Sequence, residues 1–334
     1  MMPDSSADTD QSLDIIGHVL AWRDAGHGAA LATVIETWGS SPCPAGSMLA
    51  IRDDATFLGS VSGGCIEGEV VTEALALIRG GGFKTLEFGI ADEDAWHVGL
   101  ACGGRVRVGV AEISTERADV LHDLQTARDD KRPVALLTDL ASGTMTLAPP
   151  DSALAPRFAA DKSGIEEMED GAGRFVQVFN PALRLFIVGA VHIAQALAKF
   201  GAECGYDVTI IDPRDTWGTE ARFPGVTLDR RWPSTALAAL GPDARSAVVT
   251  LCHDPKLDDP ALMEVLDSEV FYIGSLGSRK THAKRLDRLR AEGATAAQVA
   301  RIHAPVGLDI GARSPQEIAL SVMGQITEAL RKAR

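Results

Sequence analysis

Two cysteines embedded in glycine carry the most chemical information in this chain. Cys65 sits in Ser62-Gly63-Gly64-Cys65-Ile66-Glu67-Gly68-Glu69, and Cys102 opens Cys102-Gly103-Gly104. Glycine lacks a Cβ, so backbone or a bulky ligand can approach such thiols closely. Gly59 to Ser62 reads as the end of a strand, and Glu67 to Ile78 carries helical spacing. Cys65 therefore falls beside a helix N-terminus, where the positive end of the helix dipole favours thiolate over thiol. Glu67 is the polar neighbour at that tip. The plain alternative is that both thiols are small buried hydrophobes, as most free cysteines are.

A second group of candidates sits where strands would end. Arg184 to Val188 is a strand-like run followed by Gly189-Ala190-Val191-His192-Ile193-Ala194, the place of a dinucleotide fingerprint, and Asp212 closes the next strand. With Gly189 as the first glycine, the second position is Val191, whose Cβ lies where a pyrophosphate needs bare backbone. A nicotinamide dinucleotide bound in the usual manner is thereby disfavoured, and Gly189, His192 and Asp212 are assigned to a different ligand. His253 follows a further strand, in Cys252-His253-Asp254-Pro255. Gly277, Ser278 and Arg279 predict a phosphate site, because a capping hydroxyl, helix N–H groups and a guanidinium converge there. Lys284, Arg285 and Arg288 extend a basic stripe beyond that tip, read here as a solvated helix face. The eight histidines form no ligand pair at helical or knuckle spacing, which speaks against zinc. Walker A, G-x-S-x-G and H-E-x-x-H patterns are absent, and no residue is assigned a catalytic role.

These groups need elements to hold them. The chain has 334 residues, which suggests two domains. Apolar residues make up 46% and charged residues 23%, the balance of a globular protein. A net charge of -14, from 46 acidic against 32 basic residues, argues against general nucleic-acid or anionic-membrane binding and leaves small ligands or protein partners. Five cysteines, an odd number without paired spacing, make no disulfide framework and point to a reducing compartment. Met1 to Asp10 lacks the order of a signal peptide, and no apolar run approaches the ~18 residues of a membrane span. A cytoplasmic, soluble and self-associating protein is expected.

Before Pro181 the pattern is mixed α/β: helices at 12–25, 67–78 and 117–128, strands at 30–36, 84–88, 105–112 and 175–179, and hairpins at 48–61 and 134–147. The stretch 149–173, poor in large apolar residues, is expected to be the weakest-ordered part. After Pro181 strands and helices alternate, which implies right-handed crossovers and a parallel sheet covered on both faces. The expected organisation is an α/β mixed domain at 1–180 and a doubly wound, Rossmann-like domain at 181–334. Ser314-Pro315-Gln316-Glu317 opens the last helix with a capping box.

Five separated motifs in order closely resemble the XdhC/CoxF family of xanthine dehydrogenase accessory proteins. They are Gly59 to Gly68, Gly99-Leu100-Ala101-Cys102-Gly103-Gly104, Gly189 to Ala194, Gly274 to Arg279, and His303-Ala304-Pro305-Val306-Gly307-Leu308-Asp309-Ile310-Gly311. The resemblance covers both domains and implies an XdhC/CoxI-type domain followed by a Rossmann-like one. It implies a chaperone that binds molybdenum cofactor, in plain or dinucleotide form, and protects it. It further implies that sulfuration of the cofactor is supported with a cysteine desulfurase, and that delivery is to an apo-molybdenum hydroxylase such as xanthine dehydrogenase. Soft sulfur ligands suit molybdenum, so Cys65 and Cys102 become the expected metal contacts, and a helix-tip anion site suits the terminal phosphate. Two other functions remain open on the residues alone: a nicotinamide-dependent oxidoreductase, and a sulfur-transfer enzyme carrying a persulfide on Cys65 or Cys102.

Overall fold

The computed structural model describes residues 14–39, 42–89, 105–167 and 173–332. The chain divides into two compact units, Met1–Pro181 and Ala182–Arg334.

The first unit opens with α1 (Ile15–Asp24), β1 (Ala29–Trp38), β2 (Met48–Arg52), β3 (Phe57–Gly59), α2 (Glu67–Gly80), β4 (Phe83–Phe88), β5 (Arg105–Glu112) and α3 (Thr115–Asp129). The five strands form an antiparallel sheet in the order β3-β2-β1-β5-β4. Its centre is apolar on both faces because side chains alternate along a strand. Ala29 and Leu31 of β1 join a core with α1 and α3. Ala30, Ala32 and Val34, one step out of phase, join a second core with Val70, Val71 and Ala74 of α2.

The unit continues with β6 (Val134–Asp139), β7 (Met145–Ala148), α4 (Ala155–Ala159), β8 (Gly164–Glu167) and β9 (Gly173–Phe179), whose strands form a second antiparallel sheet, β7-β6-β9-β8. The stretch marked by composition as the weakest-ordered, 149–173, therefore contains α4 and β8. Leu154 and Phe158 are buried there against Ala135 and Val176. Two well-placed apolar residues suffice to dock a helix this short, and a composition average does not register them.

The second unit runs β10 (Leu183–Val188), α5 (His192–Glu203), β11 (Tyr206–Ile211), β12 (Thr227–Asp229), α6 (Pro233–Leu240), β13 (Ser246–Thr250), α7 (Pro255–Leu266), β14 (Tyr272–Ser275), α8 (Arg279–Ala291), α9 (Ala296–Val299), β15 (Ile302–His303) and α10 (Pro315–Lys332). Every strand pair is parallel, and the order is β12-β11-β10-β13-β14-β15. Counted within the unit this is 3-2-1-4-5-6, the Rossmann order, with its switch point between β10 and β13. Leu185 and Ile187 face α5 and α10, while Phe186 and Val188 face α6 and α7. The capping box of α10 is formed: Glu317 accepts from the N–H groups of Ser314 (2.9 Å) and Arg313 (2.8 Å), and its own N–H donates to Ser314 Oγ (3.2 Å). Helix α7 begins at Pro255 and carries Pro260 inside. Among the described residues no helix is long and apolar enough to cross a membrane.

Gly274 in β14 is held to glycine by its neighbours. A Cβ there would stand 2.6 Å from Val306 Cγ2 and 2.8 Å from both Cε1 and the hydroxyl of Tyr272. That ring is 1% exposed, stacks on His303 with centroids 4.8 Å apart, and donates its hydroxyl to Gln325 at 2.6 Å, so it has little room to yield. Gly274→Ala is expected to lower the unfolding free energy by about 1–3 kcal/mol, the usual cost of overpacking. Urea unfolding of the two proteins is the measurement; an unchanged midpoint would show that the pocket relaxes.

Candidate functional site

In the first unit the glycine loop between β3 and α2 is built around the Glu67 carboxylate. Oε1 accepts from Ser60 Oγ (2.6 Å) and from the N–H groups of Val61 (3.1 Å) and Ser62 (2.9 Å). Oε2 accepts from Ser62 Oγ (2.6 Å) and from the N–H groups of Gly64 (3.0 Å) and Ile66 (3.2 Å). Turning these amides inward requires left-handed backbone at Gly63 (φ 80°) and Gly64 (φ 110°), a conformation that glycine adopts without a steric cost. Burial alone would raise the Glu67 carboxyl, but the bonds from Ser60, Ser62 and the backbone outweigh it and hold it at about 2. Glu67 is therefore the organiser of the loop, and its oxygens face the loop itself. A sequence reading could not separate that role from ligand contact.

Cys65 rides on this fixed loop. Its N–H donates to Ser62 Oγ at 2.9 Å, and the residue is exposed, which removes the reading of Cys65 as a buried hydrophobe. Cys102 lies outside the described residues. Ile66, which follows Cys65, and Val106 of β5 belong to one apolar cluster. Both β1 and β5 meet at this end of the sheet, where Trp38 pairs with Arg105 and its ring lies under the Arg105 guanidinium, 5.2 Å from the centroid.

In the second unit the turn after β10 is filled by the chain itself. Gly189 takes φ 106°, and a Cβ there would stand 2.5 Å from Cys252 Sγ and 3.1 Å from its backbone nitrogen. Asp212, buried, accepts the Ala190 N–H at 2.7 Å. It also accepts from Arg214 through N–H (3.0 Å), Nε (2.8 Å) and Nη2 (2.6 Å). Burial works to raise this carboxyl, but Arg214 and the Ala190 amide hold it below the ordinary carboxylate range. The Arg214 guanidinium lies over Trp217, 4.5 Å from the ring centroid, and reaches Cys252 Sγ at 3.8 Å. Burial, with the nearby Asp258 charge, pushes the Cys252 thiol up to about 12, so it is a neutral packing group. At the switch point, where an open α/β sheet binds its ligand, Cys252 thus lies beside Gly189 and Arg214 beside Asp212. His192, the first residue of α5, is exposed there.

The remaining assigned residues separate. Gly277 (φ 145°) precedes Ser278, whose hydroxyl caps α8 by accepting the Thr281 N–H at 3.1 Å, and Arg279 is exposed. His253, in a left-handed conformation at φ 59°, lines a cavity of about 280 Å³ with Lys280, Lys284, Arg285 and Arg288. Gly277, Ser278 and Arg279 do not line it. The solvated-face reading of the α8 stripe is corrected for two residues: Arg285 is 2% exposed, and Arg288 pairs through both Nε and Nη2 with the buried Asp259. Helical spacing alone could not reveal this, because the covering residues come from α7. Arg214 and Cys252 are further residues at the switch point that spacing does not single out; an arginine two positions after a strand-terminal aspartate is the available signal. Among the described residues no cluster of three or more His, Cys, Asp or Glu could hold a metal ion.

The family model described as the XdhC Rossmann domain matches residues 185–326, and that of the XdhC and CoxI family matches residues 22–89. The chain is 29% identical over 325 residues to the molybdenum cofactor insertion chaperone PaoD of Escherichia coli, spanning 97% of this chain and 90% of that protein. It is 25% identical over 316 residues to a probable xanthine dehydrogenase component of Bacillus subtilis, spanning 91% and 94% of the two chains. A crystal structure described as a xanthine dehydrogenase from Bacillus halodurans has the same fold, with a TM-score of 0.78 at 23% identity, over 96% of this chain and 97% of that one.

Replacing Glu67 by glutamine keeps its size but turns one acceptor oxygen into a donor facing donors. Glu67→Gln is expected to destabilise the first unit by roughly 2–3 kcal/mol at neutral pH, the cost of unsatisfied buried donors. Because the folded carboxyl titrates at about 2 against an ordinary 4.5, its contribution is fully present above about pH 4.5 and disappears as pH falls toward 2. Denaturant unfolding of both proteins from pH 7 to pH 2.5 should show the difference narrowing over that interval. A constant difference would mean that the carboxylate does not organise the loop.

Proposed function

The chain belongs to the XdhC family, whose two domain models it matches in order, and from this we propose that it binds molybdenum cofactor as cargo and hands it to a molybdenum hydroxylase of the xanthine dehydrogenase type. The observation that carries the reading is the exposed Cys65 thiol on a loop fixed from inside by Glu67. A soft sulfur donor on a rigid support suits a molybdenum centre that must be held and then released. Cys102 is the second donor in this proposal, on the strength of the same glycine-flanked sequence setting as Cys65. The name of the Escherichia coli relative, which the chain matches over nearly its whole length, supports the same cargo. Delivery with a cysteine desulfurase as sulfur source, and the plain or dinucleotide form of the cofactor, belong to the proposal.

The nicotinamide alternative loses support from the groups beside this turn. A pyrophosphate at the α5 tip would compete with Asp212 for the Ala190 N–H and would meet Cys252 beside Gly189. The persulfide alternative draws on the same exposure of Cys65, since a sulfur carrier must be reached by its donor.

Cofactor-loaded protein incubated with apo-hydroxylase should restore hydroxylase activity. The Cys65→Ser protein should restore it about tenfold less well or worse, a loss typical of a disturbed metal environment. Cys204→Ser, at the exposed C-cap of α5, is the matched control. Equal transfer by wild type and Cys65→Ser would overturn the role of Cys65, whereas steady NADH turnover by the purified chain would overturn the chaperone reading. A cysteine-bound extra sulfur found by mass spectrometry after exposure to a desulfurase would favour the carrier alternative.

A further inference from the structure

The cavity between α7 and α8 has a composition that the protein as a whole does not. On a chain with net charge -14, its lining places Lys280, Lys284, Arg285 and Arg288 against only two carboxylates, Asp258 and Asp259. The four cations lie at positions i, i+4, i+5 and i+8 of α8, one face of the helix. Asp259 is engaged by Arg288. Arg285 is not comparably engaged. Its side chain is 2% exposed, yet its nearest carboxylates stand off at 3.8 Å (Asp258) and 3.9 Å (Asp259). Nη2 donates to Leu276 O at 2.9 Å, while Nε and Nη1 have no hydrogen-bond partner.

A buried guanidinium with two unpartnered donors is costly unless something accepts from it. Its planar fork matches the oxygens of a phosphoryl group. The N-terminal turn of α8 adds the positive end of its dipole from Lys280 and Thr281, and His253 supplies a ring from the α7 side. We propose that this cavity is a phosphoryl-binding site, in which Arg285 grips the anion from within while Lys280 and Lys284 close on it from the rim. The geometry stands by itself. Identifying the group as the terminal phosphate of the cargo rests on the function proposed above. The site lies one turn beyond the Gly277-Ser278-Arg279 tip at which the sequence placed it, because Ser278 is consumed as a cap and Arg279 is no part of the cavity lining.

The test uses the full chain without cofactor or client, so it can succeed or fail apart from the chaperone reading. Calorimetric titration with pyrophosphate and, separately, with inorganic phosphate at low salt should show saturable binding. If a diphosphate is the natural group, pyrophosphate binds more tightly; if a monophosphate, the two are alike. The double variant Lys280→Ala/Lys284→Ala, at two exposed positions where folding is undisturbed, should weaken binding about tenfold or more, as expected for losing two charge-assisted contacts. Arg285→Lys, which keeps the charge but loses the fork, should weaken it similarly. Arg290→Ala, an exposed cation of α8 outside the cavity, should change it less than about twofold. No saturable binding of either anion, or equal losses in the double variant and Arg290→Ala, would overturn the proposal.

Discussion

Three loops that lead into helices are each fixed by a carboxylate of the chain that accepts from backbone N–H groups just before the helix. The first turn of any helix leaves amides without intrahelical partners, and its dipole favours negative charge there. Most nucleotide-binding folds use that vacancy for a phosphate. Here Glu67 lies inside the amides of Val61, Ser62, Gly64 and Ile66, Asp212 takes the Ala190 amide, and Glu317 takes those of Arg313 and Ser314. A hydrogen bond to a charged group contributes about 1.5–3 kcal/mol, enough for several to pin a loop that would otherwise be mobile. The loops become stiff, and the amides of Val61, Ser62, Gly64, Ile66 and Ala190 are satisfied from within the chain.

That constraint sorts the candidate residues. Where the internal carboxylate is fully engaged, the neighbouring side chain is left to face outward, as with Cys65 beside Glu67 and His192 beside the Asp212 turn. Where cations are incompletely engaged, as along α8, a cavity results. The exposed Cys65 thiol and the cation-lined cavity thus belong to different units of the chain.

The alternation of strands and helices after Pro181 was legible because both faces of the parallel sheet are apolar and the elements are long. The short members were not: β12, α9 and β15 have three, four and two residues, too few for a period to show. Helix α6 is longer but begins at Pro233 and ends at the left-handed Gly241, punctuation that reads equally well as a turn. At the candidate site, the Gly63-Gly64 pair before a helix was enough to mark a tight turn, and both glycines take left-handed backbone. What spacing could not convey is which way a charged group faces. Glu67 and Arg285 look like surface residues in sequence and are 7% and 2% exposed, because their partners arrive from residues up to seven positions away in one case and from a neighbouring helix in the other.

The close approach of Gly189 and Cys252 has a meaning for substitution as well as for binding. Cys252 holds position 189 to glycine, and Arg214, which reaches the Cys252 sulfur, also neutralises the buried Asp212. Removing the arginine alone strands a buried carboxylate. Asp212 and Arg214 therefore behave as one unit, in which neither side chain can be replaced alone without leaving its partner's charge unpaired.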